Sequence, residues 1–278
     1  MPSGNDNASG YSPSPAIPLK RRGGLTVVAH VVYAIVMREV KTRFGRGNMG
    51  YLRALLEPMV FIGGFVLIWF ALGRASPIAV PVELFFLCSL FPYVAFTRTW
   101  EYSAGAIRSN TGLLMFPIVR PLDFFIARTI LEAASQLMVF LILAVAVHGL
   151  FGELRHLPAD LLGVLLAVLS AITLGAALGL CTGILAMEFP SVEMILMPVR
   201  RLLFFSSGVF FIADSLPAIL QEYLWWNPVL HATEWFRSAY FSEAESQFLS
   251  IEYLWSAIVA LLVIGLILER RLMRIGYQ

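Results

Sequence analysis

Between Pro58 and Gly73 the chain carries no charge, whereas the stretch that leads into it, "RGNMGYLRALLEP" (46–58), crowds Arg46, Arg53 and Glu57 together. A charged threshold followed by an uncharged apolar run marks a helix entering a bilayer. Hydrocarbon offers no partner to an exposed backbone N–H or C=O, so only structures that satisfy their own backbone can cross it. The whole chain agrees. It is 59% hydrophobic and 14% charged with a mean hydropathy of +0.78, where soluble domains are about half apolar and about a quarter charged. At 278 residues the length suits one domain of several spans and leaves little for a soluble catalytic unit. Cys88 and Cys181 lie inside apolar runs and read as small buried hydrophobes.

The pattern predicts an all-α integral membrane fold with six transmembrane helices. The spans fall at 58–73, from 82 past 97 with Pro92 as a kink, at 124–151, 161–187, 194–213 (broken at Pro198) and 253–268. The fourth contains "LGAALGLCTG", whose small residues let helices approach closely. Residues 1–24, rich in Ser, Pro, Gly and Asn, read as a disordered tail. The segment 27–44 is apolar and then charged, too short to span, and predicts an amphipathic helix lying in the membrane surface. Between spans five and six, "LPAILQEYLWWNPVLHATEWFRSAYF" (216–241) is too polar to cross but helical in period on both sides of Asn227-Pro228. Two half-helices that enter the outer leaflet and return would suit it, with Trp225, Trp226 and Trp235 at the interface. Of the 20 Lys and Arg, all but Arg74, Arg155 and Arg237 fall on one side of this arrangement. By the positive-inside rule that side is cytoplasmic, and it holds both termini.

Chemistry is sparse. The chain has no G-x-x-x-x-G-K-[ST], no G-x-S-x-G and no Cys/His metal spacing. It therefore binds no nucleotide through a P-loop of its own, and active transport would draw on a partner or an ion gradient. His30, His148, His156 and His231 are scattered. Glu132 is the one carboxylate well inside a span, either an ion relay or a partner of Arg128 at i−4. Arg200 and Arg201 beside Pro198 are costly within a span unless they face water, an anion or a carboxylate such as Glu188 or Glu193. Lys41, Arg43, Arg46 and Arg53 could extend such an anion site or bind anionic lipid. The aromatic residues Phe61, Phe65, Trp69 and Phe70 on span one, and Phe204, Phe205, Phe210 and Phe211 on span five, either offer faces to sugar rings or pack against helices and lipid. In "AIRSNTGLLMFPIVRPLD", capping residues Ser109 and Asn110 precede Leu113, Leu114, Met115 and Phe116, an apolar knob in a cytoplasmic loop that needs a cover.

Four ordered segments, "REVKTRFGRGNMGYLRALLEP" (38–58), "NTGLLMFPIVRPLDFFIAR" (110–128), "PVRRLLFFSSGVFF" (198–211) and "NPVLHATEWFRSAYF" (227–241), resemble the membrane subunits of type-2 ATP-binding-cassette exporters, above all capsular polysaccharide export permeases. The resemblance runs from about residue 26 to the C-terminus. It implies a homodimeric inner-membrane permease that moves lipid-linked polysaccharide outward with two copies of a cytoplasmic ATPase. ATP and Mg would sit on the ATPase, and periplasmic and outer-membrane export proteins would be further partners; no nucleic acid is implied. It also implies an interface helix at 27–44, a coupling segment at 103–117, outer half-helices at 216–241, and a channel built largely by spans one and five. Alternatives are export of O-antigen, teichoic acid or small molecules on the same scaffold. From another class comes an integral-membrane enzyme acting on lipid-linked sugars, with essential carboxylates among Glu83, Asp160, Asp214 and Glu234.

Overall fold

The computed structural model describes residues 24–44, 49–73, 76, 80–115, 119–151, 158–241 and 246–275. They form nine α-helices: α1 (Gly24–Phe44), α2 (Met49–Ala71), α3 (Val82–Ala104), α4 (Pro121–Phe151), α5 (Leu161–Glu188), α6 (Ser191–Ser206), α7 (Ala218–Leu224), α8 (Pro228–Tyr240) and α9 (Ile251–Ile275). A 3-10 segment, Arg108–Met115, lies between α3 and α4. Among the described residues, α3, α4, α5 and α9 are long and apolar enough to cross a membrane. The apolar part of α2, Leu56–Ala71, is shorter, and α6 has 16 residues including both arginines.

Every apolar helix must bury a stripe, and α3 buries nearly its whole circumference: Leu84 through Phe96 are all inaccessible. The reason lies in α5. Gly175, Gly179 and Gly183 recur every fourth residue and so form one stripe against α3. A Cβ on Gly175 would collide with the Phe96 carbonyl. One on Gly179 would lie 2.9 Å from the Trp100 carbonyl oxygen, and one on Gly183 2.6 Å from that of Ala104. Each glycine costs about 1 kcal/mol of helix propensity relative to Ala, offset here by backbone-to-backbone packing. The indole N–H of Trp100 locks the pair by donating to Thr182 Oγ1 at 2.9 Å.

Three prolines expected to begin, kink or break spans sit inside continuous helices: Pro58 in α2, Pro92 in α3 and Pro198 in α6. The charged threshold around Arg53 is thus the first turns of α2 rather than a loop before it. The predicted fifth span, 194–213, is cut short at Ser206. Gly208 follows at φ +71°, a left-handed conformation open to glycine, and its Cβ position is closed by Leu230 Cδ1 at 2.6 Å.

The helical hairpin α7–α8 turns at Asn227. Its side chain caps α8 by accepting from Val229 N at 3.0 Å and donates to the Ser206 carbonyl at 3.0 Å, fastening the turn to the end of α6. Far from lying on the surface, α8 is buried along its length. Phe236 packs on Phe91 and Phe140, and the carbonyls of Ala239 and Tyr240 accept from Asp160 N and Ala159 N at the start of α5. At the other end of the molecule α1 lays Val32 and Ile35 against Ala106, Phe124 and Ala127. By contrast α6 buries none of its residues: Met194, Ile195, Met197, Leu202 and Phe205 are all exposed.

Candidate functional site

Two features share the end of the bundle that carries α1. The first is a recess of about 240 Å³ lined by Glu57, Pro58 and Phe61 of α2 and by Tyr93, Val94, Thr97, Arg98 and Glu101 of α3. Helical spacing brings its polar groups together, since residues 93, 94, 97, 98 and 101 fall on one face. Arg98 reaches across to Glu57 at 2.7 Å. From α6, Arg200 enters beside the recess, pairing with Glu101 at 3.2 Å and stacking 5.0 Å above the Trp100 ring. The Tyr93 hydroxyl donates to the Arg200 carbonyl at 2.9 Å. Among the described residues, the Arg200 Nε has no hydrogen-bond partner although it is buried.

Above the recess the aromatic residues of α2 and α6 meet. Phe61, Phe65 and Trp69 lie at i, i+4 and i+8 on one face of α2. Phe65 lies 5.9 Å from Phe204 and 6.0 Å from Phe210; Phe204 is 5.3 Å from Phe210 and 5.1 Å from Tyr93; Trp69 lies 4.8 Å from Phe86. Phe205 joins at its edge, 6.0 Å from Phe210. This is one continuous aromatic cluster between α2, α3 and α6.

The second feature is a polar junction. Asn110, in the 3-10 segment, is buried and accepts from Arg38 Nη1 at 2.8 Å while donating to Glu39 Oε1 at 3.2 Å and to the Ala106 carbonyl at 2.9 Å. Glu39 takes Arg128 of α4 at 2.5 Å. One carboxylate and one amide thereby join α1, the 3-10 segment and α4. An exposed pair, Arg108 to Glu193 at 2.6 Å, links the same segment to the first turn of α6.

The model of the ABC-2 type transporter family matches residues 30–241. The chain belongs to that family. It is also similar, at 33% identity over 254 residues (90% of this chain, 96% of the relative), to the polysialic acid transport protein KpsM of Escherichia coli. The capsule polysaccharide export inner-membrane protein CtrC of Neisseria meningitidis is 30% identical over 249 residues (89% and 92%). BexB of Haemophilus influenzae, described in the same words, is 32% identical over 247 (88% and 92%). The resemblance to capsule export permeases drawn from four segments therefore holds across nearly the whole chain.

In this ABC-2 chain the residues singled out from sequence divide by place. Phe61, Phe65, Trp69, Phe204, Phe205 and Phe210 come together; Phe61 and Phe205 are exposed, as is Phe70. Phe211 belongs to a different cluster with Ala213, Leu230 and Phe248. Arg200 pairs with Glu101 rather than with Glu188 or Glu193, because Glu193 is held by Arg108. Arg201 and Lys41 are exposed. Ser109 lies at the junction, donating to the Ala106 carbonyl, and Leu113 packs beside the α1–α4 contact. Arg46, Phe116 and residues 1–23 lie outside the described residues, as do the side chains of Arg43, Arg53, Leu114 and Met115.

Sequence reading missed Glu57, Arg98 and Glu101 as a set, and it counted Arg237 as an outer-loop cation. Arg237 is 1% exposed. It pairs with Glu234 and donates to the carbonyls of Gly208 at 2.9 Å and Phe211 at 3.1 Å and to Ser89 Oγ at 3.2 Å. Glu234 in turn accepts from Ala213 N at 2.9 Å. The i, i+3 spacing of Glu234 and Arg237 was the available signal.

Proposed function

We propose that this chain is the permease subunit of an ATP-driven exporter that moves lipid-linked capsular polysaccharide from the cytoplasm across the inner membrane. It would work as a homodimer with two copies of a separate ATPase that holds ATP and Mg. The observation that carries the reading is the similarity to capsule polysaccharide export permeases over about nine-tenths of both chains.

Geometry supports it in three ways. By the positive-inside rule the α1 end and both termini would be cytoplasmic, α2 and α6 would complete six spans, and α7–α8 would be half-helices in the outer leaflet. Polar and aromatic residues of α2 and α6 are aligned from the charged recess upward, yet α6 buries nothing within one chain. A second copy across α2 and α6 would enclose them and make the aromatic cluster a channel wall. The 3-10 segment, joined to α1, α4 and α6, is the element through which a bound ATPase can push.

At the inner mouth, the Arg200 guanidinium is a quarter exposed beside its pairing with Glu101 and could meet the phosphate of a lipid anchor. The enzyme reading loses two of its four carboxylates. Glu234 is consumed by Arg237 and Ala213 N, and Asp214 accepts from Gln247 N and Phe248 N.

The deciding experiment is to remove this chain from its cell and measure surface polymer, while purifying tagged chain in mild detergent. Loss of surface polymer and an ATPase that co-purifies in equal amount are expected. Unchanged polymer would overturn the reading.

A further inference from the structure

The helix α6 is held at both ends and loose between them. At its inner end only Phe189 and Pro190 separate it from α5, and the turn is closed by Val192 N donating to the Phe189 carbonyl at 3.0 Å. At its outer end Asn227 Nδ2 donates to the Ser206 carbonyl at 3.0 Å, tying it to the buried α8. Between these points none of its residues is buried, and Leu196, Leu203 and Phe204 pack only partly against the core.

A helix fixed at both ends changes shape by bowing between them, and it bows where its own hydrogen-bond ladder is weakest. Pro198 has no N–H, so the bond back to the Met194 carbonyl cannot form, and the ring crowds that carbonyl. Pro58 and Pro92 interrupt the ladders of α2 and α3 in the same way, but both are buried, whereas Pro198 is exposed. Of the three, Pro198 alone has room to bend.

Two residues beyond this proline, Arg200 makes three contacts with a single helix. Its guanidinium pairs with Glu101 at 3.2 Å and lies over the Trp100 ring at 5.0 Å, and its carbonyl accepts from the Tyr93 hydroxyl at 2.9 Å. All three partners belong to α3, and Trp100 is itself bonded to Thr182 of α5 at 2.9 Å. The ion pair is open to water, with Arg200 26% and Glu101 43% exposed, so it adds little to stability and can part without unfolding anything. On the other side of the proline, Glu193 holds Arg108 at 2.6 Å and so joins the 3-10 segment to the first turn of the same helix.

We propose that Pro198 and Arg200 are the hinge and the catch of a bowing helix. With the catch closed, α6 lies against α3. When the 3-10 segment moves under the ATPase and draws Glu193 with it, Arg200 leaves Glu101 and α6 bows at Pro198, opening the recess between α2 and α6 to an incoming lipid-linked chain. The inference rests on the proposed function and adds to it the element that moves and the residue that holds it.

The test replaces the chain in its cell by each variant and measures surface polymer, with ATP hydrolysis followed on the full-length chain and its ATPase in lipid nanodiscs. Pro198→Ala supplies the missing N–H and a strong helix former, so it should melt no lower than the parent. Its surface polymer should nevertheless fall about tenfold while ATP is still hydrolysed, and Pro198→Gly, which supplies the N–H but keeps the backbone free, should stay within about twofold of the parent. A spin label on Met197→Cys, exposed beside the hinge, reads the bow directly, because Cys88 and Cys181 are buried. Its motion should differ between nucleotide-free and vanadate-trapped complexes, and the difference should vanish when Pro198→Ala is added. The label in the chain that keeps Pro198 decides the matter even where the alanine variant fails to fold. An unchanged label, full export by Pro198→Ala, or equal loss of export in the alanine and glycine variants would each overturn the inference. Deleting the chain separates the two levels. If polymer is lost on deletion but Pro198→Ala exports as the parent does, only the hinge fails; if polymer persists on deletion, the proposed function fails.

Discussion

Two arginines within the helical bundle, Arg237 and Arg200, do opposite things with the same side chain. Arg237 is buried and surrounded: a carboxylate, two carbonyls and a hydroxyl absorb its donors, and the Phe85 ring lies 5.3 Å beneath it. Arg200 is a quarter exposed, holds one carboxylate at 3.2 Å and keeps a buried Nε with no partner among the described residues. A guanidinium engaged through both Nη atoms by four acceptors is a structural fastener. One that is a quarter exposed and holds a single carboxylate, beside a recess and next to an aromatic cluster, is less tightly fastened. The difference between the two ends of the bundle is therefore one of residual hydrogen-bonding capacity rather than of charge.

The largest expected effect tests the fastener. Arg237→Leu leaves Glu234 buried and unpaired and should cost about 3–5 kcal/mol, read as a collapse in folded yield and melting temperature in detergent. Glu234→Leu in the same chain should recover part of that loss. Next is the junction, where Asn110→Ala strips Glu39 and Arg38 of a buried amide. A loss of about 1–3 kcal/mol is expected, together with ATP hydrolysis that no longer tracks export in reconstituted vesicles. Arg200→Ala should behave differently from both: stability should change by less than about 1 kcal/mol, while export falls about tenfold, equivalent to ~1.4 kcal/mol of lost stabilisation. If Arg200→Ala instead melts the protein as Arg237→Leu does, the contrast between them fails. The smallest effect belongs to the exposed Arg108–Glu193 pair. Arg108→Glu should shift stability by under about 1 kcal/mol but loosen the link between the 3-10 segment and α6. Adding Glu193→Arg should restore export if the link matters.

These arginines also show what sequence could and could not reveal. The bundle was legible because apolar runs between charged thresholds mark helices by length alone, and α5 was found to within a residue of its bounds. The aromatic faces of α2 were legible through the four-residue spacing of Phe61, Phe65 and Trp69. What failed was partnership across the chain. Glu101 and Arg200 are joined by packing of α3 against α6, and no spacing encodes that. Arg237 was misread because a cation between two spans looks like a loop cation until the burial of α8 is known. The end of α6 was misplaced because Ser206-Ser207-Gly208 is compatible with a helix, and the left-handed turn at Gly208, where a Cβ would meet Leu230, shows only in the fold.

The glycine stripe of α5 carries a last consequence. With Cβ atoms excluded along Gly175, Gly179 and Gly183, α3 and α5 meet at backbone distance and have no side-chain layer through which to slip or rotate. They act as a keel. Any alternation between closed and open passages must then be hinged elsewhere, in α6, which buries nothing, and in the apolar half of α2 that faces it. A disulfide or bulky residue that freezes α6 against α2 should arrest transport, whereas cross-linking α3 to α5 should leave it running, because those two helices already move as one.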